Sequence, residues 1–495
     1  MLAATLIATP VGAAERVLRV AVGDWIPGLG NPYASAMNGT VHPFAGMFDA
    51  LTFLAGDGTA QPHLALSWHT ESPTRWVFQL HPGVVFANGE PLDAAAVVAM
   101  FDWLKRPEAQ RFIMAGEVKG IVTAQALDRL TVAITTATPD VVLPKRLSLL
   151  QVVPPAYWSK VGPDAFAQAP IGSGPFILKT WGRDRGRYIV ERNPAAWRPA
   201  LGLDRVEYIV LPDGARRAQA LATFEAEIAF NIDFEGMDQL KGQGIPTVIR
   251  QMPVVTALAM PNNRPGSALK DIRVRQALNY AVDRAAIARI IMRDTATPNG
   301  QGVVPGVFGY AAAVAPYPYD PGRARALLAE AGYAKGLSLT ASVIAKASVE
   351  GEAIYQRVTQ DLAAVGVTLS VRNTSGADWV RMWVSGDWRG ADMLSAVWNG
   401  ATTMDAARAV EPFTCAKPGA FFCAPEIDKL IAESDLTFDS GARERQLQDI
   451  LAKFHDQAPS LYLFPQPELI GISPRVANVQ YRGRYLDWSI LSVKP

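Results

Sequence analysis

Two stretches of this chain carry residue types at spacings that could do covalent chemistry. Ser267-Ala268-Leu269-Lys270 matches S-x-x-K, in which a lysine one turn on from a serine helps to activate the hydroxyl. Gly172-Ser173-Gly174, inside "IGSGPFILKTW", has the composition of a phosphate-cradling loop or of a nucleophile's turn. Each fails on its remaining requirements. Serine–lysine chemistry also needs a K-T-G strand and an S-D-N-like loop, but Lys179-Thr180 runs into Trp181 and no S-D-N occurs. A phosphate loop needs G-x-x-x-x-G-K-[ST], and a nucleophile elbow needs G-x-S-x-G; the glycine–serine–glycine stretch supplies neither. It reads as a tight turn into the strand "FILKTW". The histidines (His42, His63, His69, His81 and His455) show no metal-binding spacing, and no H-E-x-x-H is present. No catalytic residue, metal ligand or cofactor is assigned. A serine–lysine hydrolase stays as the rival to any reading of the chain as a binding protein.

The two cysteines, Cys415 and Cys423, flank "AKPGAFF" with its Lys-Pro-Gly turn. In an exported chain they read as a disulfide; a metal site is the other reading, with His455 the nearest histidine in sequence. Export is expected from the start. An apolar run from Leu2 to Val11 leads into Gly12-Ala13-Ala14 and then the first charges, Glu15 and Arg16. This is a secretory h-region and small-residue cleavage site without its basic n-region, which points to Met1 as an internal start. Residues 1–14 are therefore taken as a signal-peptide remnant, removed to leave a periplasmic protein. The run is too short to span a bilayer, and no cysteine follows it to carry a lipid anchor.

The elements that must position any site follow from composition and periodicity. At 495 residues, 49% hydrophobic and 19% charged, the chain is globular and long enough for two or three folding units. Its net charge of 47 − 46 = +1 gives no electrostatic reason for a nucleic-acid or anionic-membrane partner. "VLRVAV", "RVEYIVL", "LSLTASVI" and "VTLSV" read as strands, and "RWVFQLHPGVVFANGEPL" as strands with turns at Pro82-Gly83 and Asn88-Gly89. "AAAVVAMFDWL" and "GARRAQALATFEAE" read as helices. "DIRVRQALNYAVDRAAIARII" reads as one helix, with Val274, Leu278 and Val282 on a single face. "YDPGRARALLAEAGY" is punctuated by Asp320 as N-cap, Pro321 at the first turn and Gly332 beyond the end. Strands alternating with helices at this spacing predict an α/β fold with a largely parallel sheet.

Longer blocks carry a resemblance. "APIGSGPFILKTWGRDRGRYIVERNPAAWR" resembles the G-T-G-P-Y/F…W…RNP-x-Y/W signature of family 5 periplasmic solute-binding proteins. These are the dipeptide, oligopeptide, nickel-chelate and opine receptors of ABC importers. "QPHLALSWHTESPTRWVFQLHPGVVFANGEPL", "NNRPGSALKDIRVRQALNYAVDRAAI" and "GVVPGVFGY…YPYDPGRARALLAEAGY" follow in the family's order. The similarity runs from about Val17 to the end, and it sets Ser267 and Lys270 at an ordinary loop-to-helix junction. It implies a two-lobed periplasmic-binding-protein clamp with an additional third subdomain. Lobe I would be 15–40, 170–253 and 474–495, the extra subdomain 41–169, and lobe II 254–473.

What the resemblance implies about the ligand is more particular. Dipeptide and oligopeptide receptors of this family carry W-x-x-D, whose aspartate pairs with the peptide's α-ammonium. Here "VWNGATTMDAARAVEPFTC" keeps Trp398 and its spacing to Cys415, but Ala401 stands in the aspartate's place and Asp405 is the next carboxylate. Trp379 matches a second pocket tryptophan. The implied ligand contacts are Trp25, Trp379, Trp398, Asn399, Ala401 and Asp405; the alternative is that Trp379 and Trp398 are core residues. The implied partners are a peptide-like or other small polar solute without a free α-ammonium and an inner-membrane ABC permease, with the receptor a monomer. A metal-chelate receptor is the narrower alternative.

Overall fold

The computed structural model describes residues 15–26, 28–34, 38–345, 350–415, 421–482 and 485–494. The expectation for residues 1–14 falls outside them.

Ten strands form one sheet: β1 Val17–Val22, β2 Phe176–Thr180, β3 Arg187–Arg192, β4 Arg205–Val210, β5 Ile228–Phe230, β6 Thr247–Ala259, β7 Leu337–Val343, β8 Val367–Asn373, β9 Met393–Asn399 and β10 Ser460–Ile472. Their order is β8-β7-β9-β6-β10-β5-β1-β4-β3-β2. The expectation of a largely parallel sheet needs correction. Parallel pairing joins β1 to β4 and β5, and β7 to β8 and β9. Everything between and beyond those two blocks is antiparallel. The chain thus builds two parallel α/β units and joins them through two long strands, β6 and β10, that run from one into the other.

Those crossing strands carry the irregularity. They pair from Thr247 opposite Gly471 to Ala259 opposite Ser460, with register shifts between Gln251 and Val255 and between Val255 and Ala257. Pro253, Pro465 and Pro467 lie at this break. Proline cannot donate to a ladder, so prolines in the middle of two central strands force a bulge there. The register sets the C-terminal end of β9, Asn399, opposite Val254 within this break, while β5 ends at Phe230 opposite Ile470, with its C-terminal end directed toward it. In open α/β sheets the crevice outside the carboxyl ends of parallel strands is where ligands bind.

A separate antiparallel sheet of four strands, Ala65–Ser72, Arg75–Leu80, Thr131–Thr136 and Ile121–Ala126, lies within residues 41–169. Its apolar core is continuous with that of β1–β4 through Phe48, Phe78, Phe101, Phe176 and Trp488. Only Arg75–Leu80 of the predicted strands in this stretch forms one; from His81 the chain turns, with Val85 bridging Pro91. The helix expected over 271–291 is two, Ile272–Ala281 and Arg284–Ile290. Val282 is extended between them and the Asp283 carboxylate caps the second at Ala286 N. Val282 is buried beside Val274 and Leu278, in the same core that takes Ile287 and Ala288 of the second helix. On one face of β7–β9 pack Ile272–Ala281, Pro321–Glu330 and Gly351–Ala363, and on the other Gly376–Ser385 and Ser440–Gln457.

Candidate functional site

The glycine–serine–glycine turn is structural, and its environment explains the residues of the longer block. Asp49 is fully buried. It accepts hydrogen bonds from Ser173 Oγ at 2.7 Å, Trp197 Nε1 at 3.0 Å and Arg198 Nε at 2.5 Å, and pairs with His63 Nε2 at 2.9 Å. Burial pushes this carboxyl up, but the Arg198 guanidinium and the hydrogen bonds outweigh it and hold it well below the carboxylate range. A Cβ on Gly172 would meet Met47 O at 1.9 Å, so the turn needs glycine for close approach. Serine and histidine here both bond the aspartate rather than each other, so this is no nucleophile–base pair. Ser267 is equally committed: its Oγ caps a short 3₁₀ turn at Leu269 N, 3.2 Å away.

A cavity of about 480 Å³ opens where β6 crosses β10. Met252, Pro253 and Pro465 from the crossing strands, with Val304, Pro305 and Met404, supply an apolar wall. Ala55 and Gly56 close it from the 41–169 segment, and Tyr310, Thr297, Asn299 and Gln251 add polar atoms. Among the described residues Arg250 is the only charged residue lining it. The volume and largely apolar lining with a few polar groups fit a small-molecule site. Ion pairs also join residues before the crossing to residues after it: Lys145 to Asp405 at 3.2 Å, Arg408 to Glu117 at 2.7 Å and Arg293 to Asp238 at 2.6 Å. Trp76 also stacks on Phe438.

None of the six residues expected at the ligand lines this cavity. Trp398 is fully buried, stacked on Phe413 with centroids 3.6 Å apart, and its Nε1 donates to Ser460 Oγ. A Cβ on Gly302 would lie 2.1 Å from Cε3 of that indole, so glycine makes room for it. Trp379 is half-buried, stacked on Trp383, and its Nε1 donates to Ser395 O at 2.7 Å. Trp25 packs at 5.9 Å from Tyr188. The Asn399 side chain is exposed, and its Oδ1 accepts from Ala401 N. Ala401 is 1% exposed and packs with Met252 and Val254 behind the cavity wall.

Asp405 is committed elsewhere. It is 1% exposed and receives two bonds from Arg443, at 2.7 and 3.0 Å, besides Lys145. Burial raises its carboxyl, yet Arg443 and Lys145 prevail and keep it below the usual range. An acid holding two cations has no charge left over for a ligand's ammonium. The residues of the crossing that line the cavity, above all Arg250, Met252 and Pro253, are not among those the resemblance implies. The signal was there: "QMPVV" and "FPQP" put proline inside apolar runs of strand character.

Cys415 and Cys423 form a disulfide; Cys415 N also donates to Asp428 Oδ2 at 2.8 Å. Among the described residues no helix is long and apolar enough to cross a membrane, and no three His, Cys, Asp or Glu side chains group to hold a metal ion.

Comparison with known proteins agrees with this architecture. The family model of bacterial extracellular solute-binding proteins, family 5 (middle), matches residues 59–420. The glutathione-binding protein GsiB of Pectobacterium atrosepticum is 28% identical over 481 residues, 93% of this chain and 90% of that one. The structure of DppA from Helicobacter pylori in complex with the peptide STSA superposes with a TM-score of 0.83 at 20% identity, over 97% of this chain and 98% of the other. NikA from Brucella suis in complex with Fe(III)-EDTA gives 0.83 at 24% identity, over 97% and 100%. Two lobes joined by crossing strands, a cavity at the crossing and a match over most of the chain lead to one assignment: the protein belongs to the family 5 extracellular solute-binding proteins, the substrate-binding components of ABC importers.

Proposed function

We propose that the cavity at the β6–β10 crossing captures a small peptide-like or other polar solute that has no free α-ammonium. The observation that carries this reading is the missing anion. Among the described residues the cavity wall holds no carboxylate, alanine occupies position 401, and Asp405 is neutralised by Arg443 and Lys145. A buried ammonium without a counter-ion costs several kcal/mol, enough to lose affinity by orders of magnitude. The neutral and apolar wall, with one arginine, instead suits acylated, amide-rich or anionic solutes. Capture closes the two lobes on the solute, which is then passed without turnover to an inner-membrane permease. The receptor acts as a periplasmic monomer once its leader is removed.

Relatives show how wide the ligand range of this fold is, from a glutathione-binding protein to structures holding a tetrapeptide or Fe(III)-EDTA. An anionic metal chelate is the second reading, favoured by Arg250 as the one charged wall residue among the described residues. Calorimetry with matched free and N-acetylated dipeptides, and with glutathione and its N-acetyl derivative, tests the first reading. The acylated member of each pair is expected to bind more tightly. Tight binding of the unmodified dipeptides overturns it, and stabilisation only by a metal chelate moves the assignment to the second reading.

A further inference from the structure

Arg250, the one charged residue on the cavity wall among the described residues, has a carboxylate partner. Arg250 on β6 stands directly across from Glu468 on β10, with Nη1 donating to Oε2 at 3.1 Å. The guanidinium lies 3.7 Å over the ring of Tyr481. The ring beneath it limits how the guanidinium can move, and Arg250 is among the residues lining the cavity. A guanidinium has five N–H donors and takes two carboxylates at once or exchanges one for another. Glu468 behind it is 7% exposed, with no other ion pair among the described residues.

We propose that Arg250 holds the carboxylate of the captured solute, sharing its guanidinium with Glu468 or taking it over. The inference rests on capture at the β6–β10 crossing, as proposed above. It narrows the solute to one with a carboxylate at one end and an apolar body that lies on Met252, Pro253, Met404 and Pro465.

A proton follows from the exchange. Burial pushes the Glu468 carboxyl above the ordinary glutamate range, and its pairing with Arg250 opposes this. The groups facing it are Arg250 from β6 and the Tyr481 phenol, itself pushed up to about 12 by burial and therefore neutral. When a solute carboxylate draws on Arg250, the cation that kept Glu468 ionised is shared or lost, and Glu468 takes a proton from solvent. The charges balance: arginine with glutamate before, arginine with solute carboxylate and a neutral glutamic acid after. One O–H bond forms on Glu468 as one bond to hydrogen breaks on the hydronium or buffer acid that supplies the proton. Since binding takes up a proton, affinity rises as pH falls, provided the solute's own carboxyl stays ionised.

The test is titration calorimetry on the full chain. N-acetyl dipeptides with a free C-terminal carboxylate are compared with their C-terminal amides, in buffers of different ionisation heat, at pH 6 and pH 8. The acids are expected to bind roughly 10- to 100-fold more tightly than the amides, the range of a hydrogen bond to a charged group. Their affinity is expected to strengthen from pH 8 to pH 6, with fractional proton uptake. Arg250→Gln should erase the preference for the acid. That variant leaves Glu468 without its cation, so Arg250→Gln/Glu468→Gln is measured beside it as the folded reference. Glu468→Gln alone should abolish proton uptake and keep or improve acid affinity. Equal binding of acids and amides overturns the Arg250 assignment while leaving the capture site standing. Acid preference without proton uptake overturns the exchange with Glu468. If neither acids nor amides bind, both readings fall.

Discussion

Replacing Asp405 by asparagine separates the two roles that this aspartate could have. Asp405 is 1% exposed, bonded twice by Arg443 and once by Lys145, and its Oδ1 accepts from Ala407 N at 3.2 Å to cap the helix Ala406–Val410. Asparagine keeps the size and the cap but removes the charge, and Arg443, whose side chain is 4% exposed, loses its bidentate anion. Breaking a buried pair from one side costs about 3–5 kcal/mol. Asp435 lies 3.9 Å from Arg443 and offsets part of this, so the expected loss is about 3 kcal/mol. At about 2–4 °C per kcal/mol for a unit of roughly 200 residues, the melting temperature should fall by about 6–12 °C. The carboxyl is depressed in the folded state. Its contribution is therefore present above the unfolded value of about 3.9 and lost as pH drops through the folded one, so wild type and variant should converge below pH 4. Scanning calorimetry across pH measures both quantities. If Asp405→Asn melts within 2 °C of wild type and instead abolishes binding of an unmodified dipeptide, the aspartate is an amine clamp and the reasoning fails.

Three further outcomes can be checked alongside. The Asp435 carboxyl is pushed up to about 6 by burial, opposed by Arg443 and reinforced by Asp140 and Asp405. Its folded state binds a proton more readily than the unfolded chain, so as pH falls from 7 to 5 wild type should gain stability relative to Asp435→Asn in paired denaturant titrations. Removing the Cys415–Cys423 bridge by double serine substitution should cost about 2.5 kcal/mol, read by urea unfolding of oxidised protein and variant. Ser267→Ala should cost only the cap, about 0.5–1 kcal/mol, and leave both binding and any hydrolysis of ester substrates unchanged; an esterase activity lost with that hydroxyl would revive the serine–lysine reading.

Sequence by itself settled what local chemistry decides. The strands Val17–Val22, Arg205–Val210, Leu337–Val343 and Val367–Asn373 follow from short apolar runs ended by turn residues. Asp320 and Pro321 mark the start of Pro321–Glu330 because a carboxylate and a residue without N–H satisfy the first helical turn, and Asp320 does bond Arg323 N at 2.8 Å. Four ordered blocks were enough for the family, and the structure gives the physical tie within one of them: Ser173 and Arg198, 25 residues apart, both bond the buried Asp49. The site was another matter. Which cation neutralises Asp405 depends on Lys145 and Arg443, 260 and 38 residues away, and no periodicity reports a pairing of that range. Trp398 reads the same in sequence whether it faces a ligand or Phe413; the strand register and Gly302 turn it inward. Arg250 became a candidate only when β6 met β10 and set it between Glu468, Tyr481 and an open cavity. Burial and charge neutralisation are properties of neighbours, and only the folded chain chooses the neighbours.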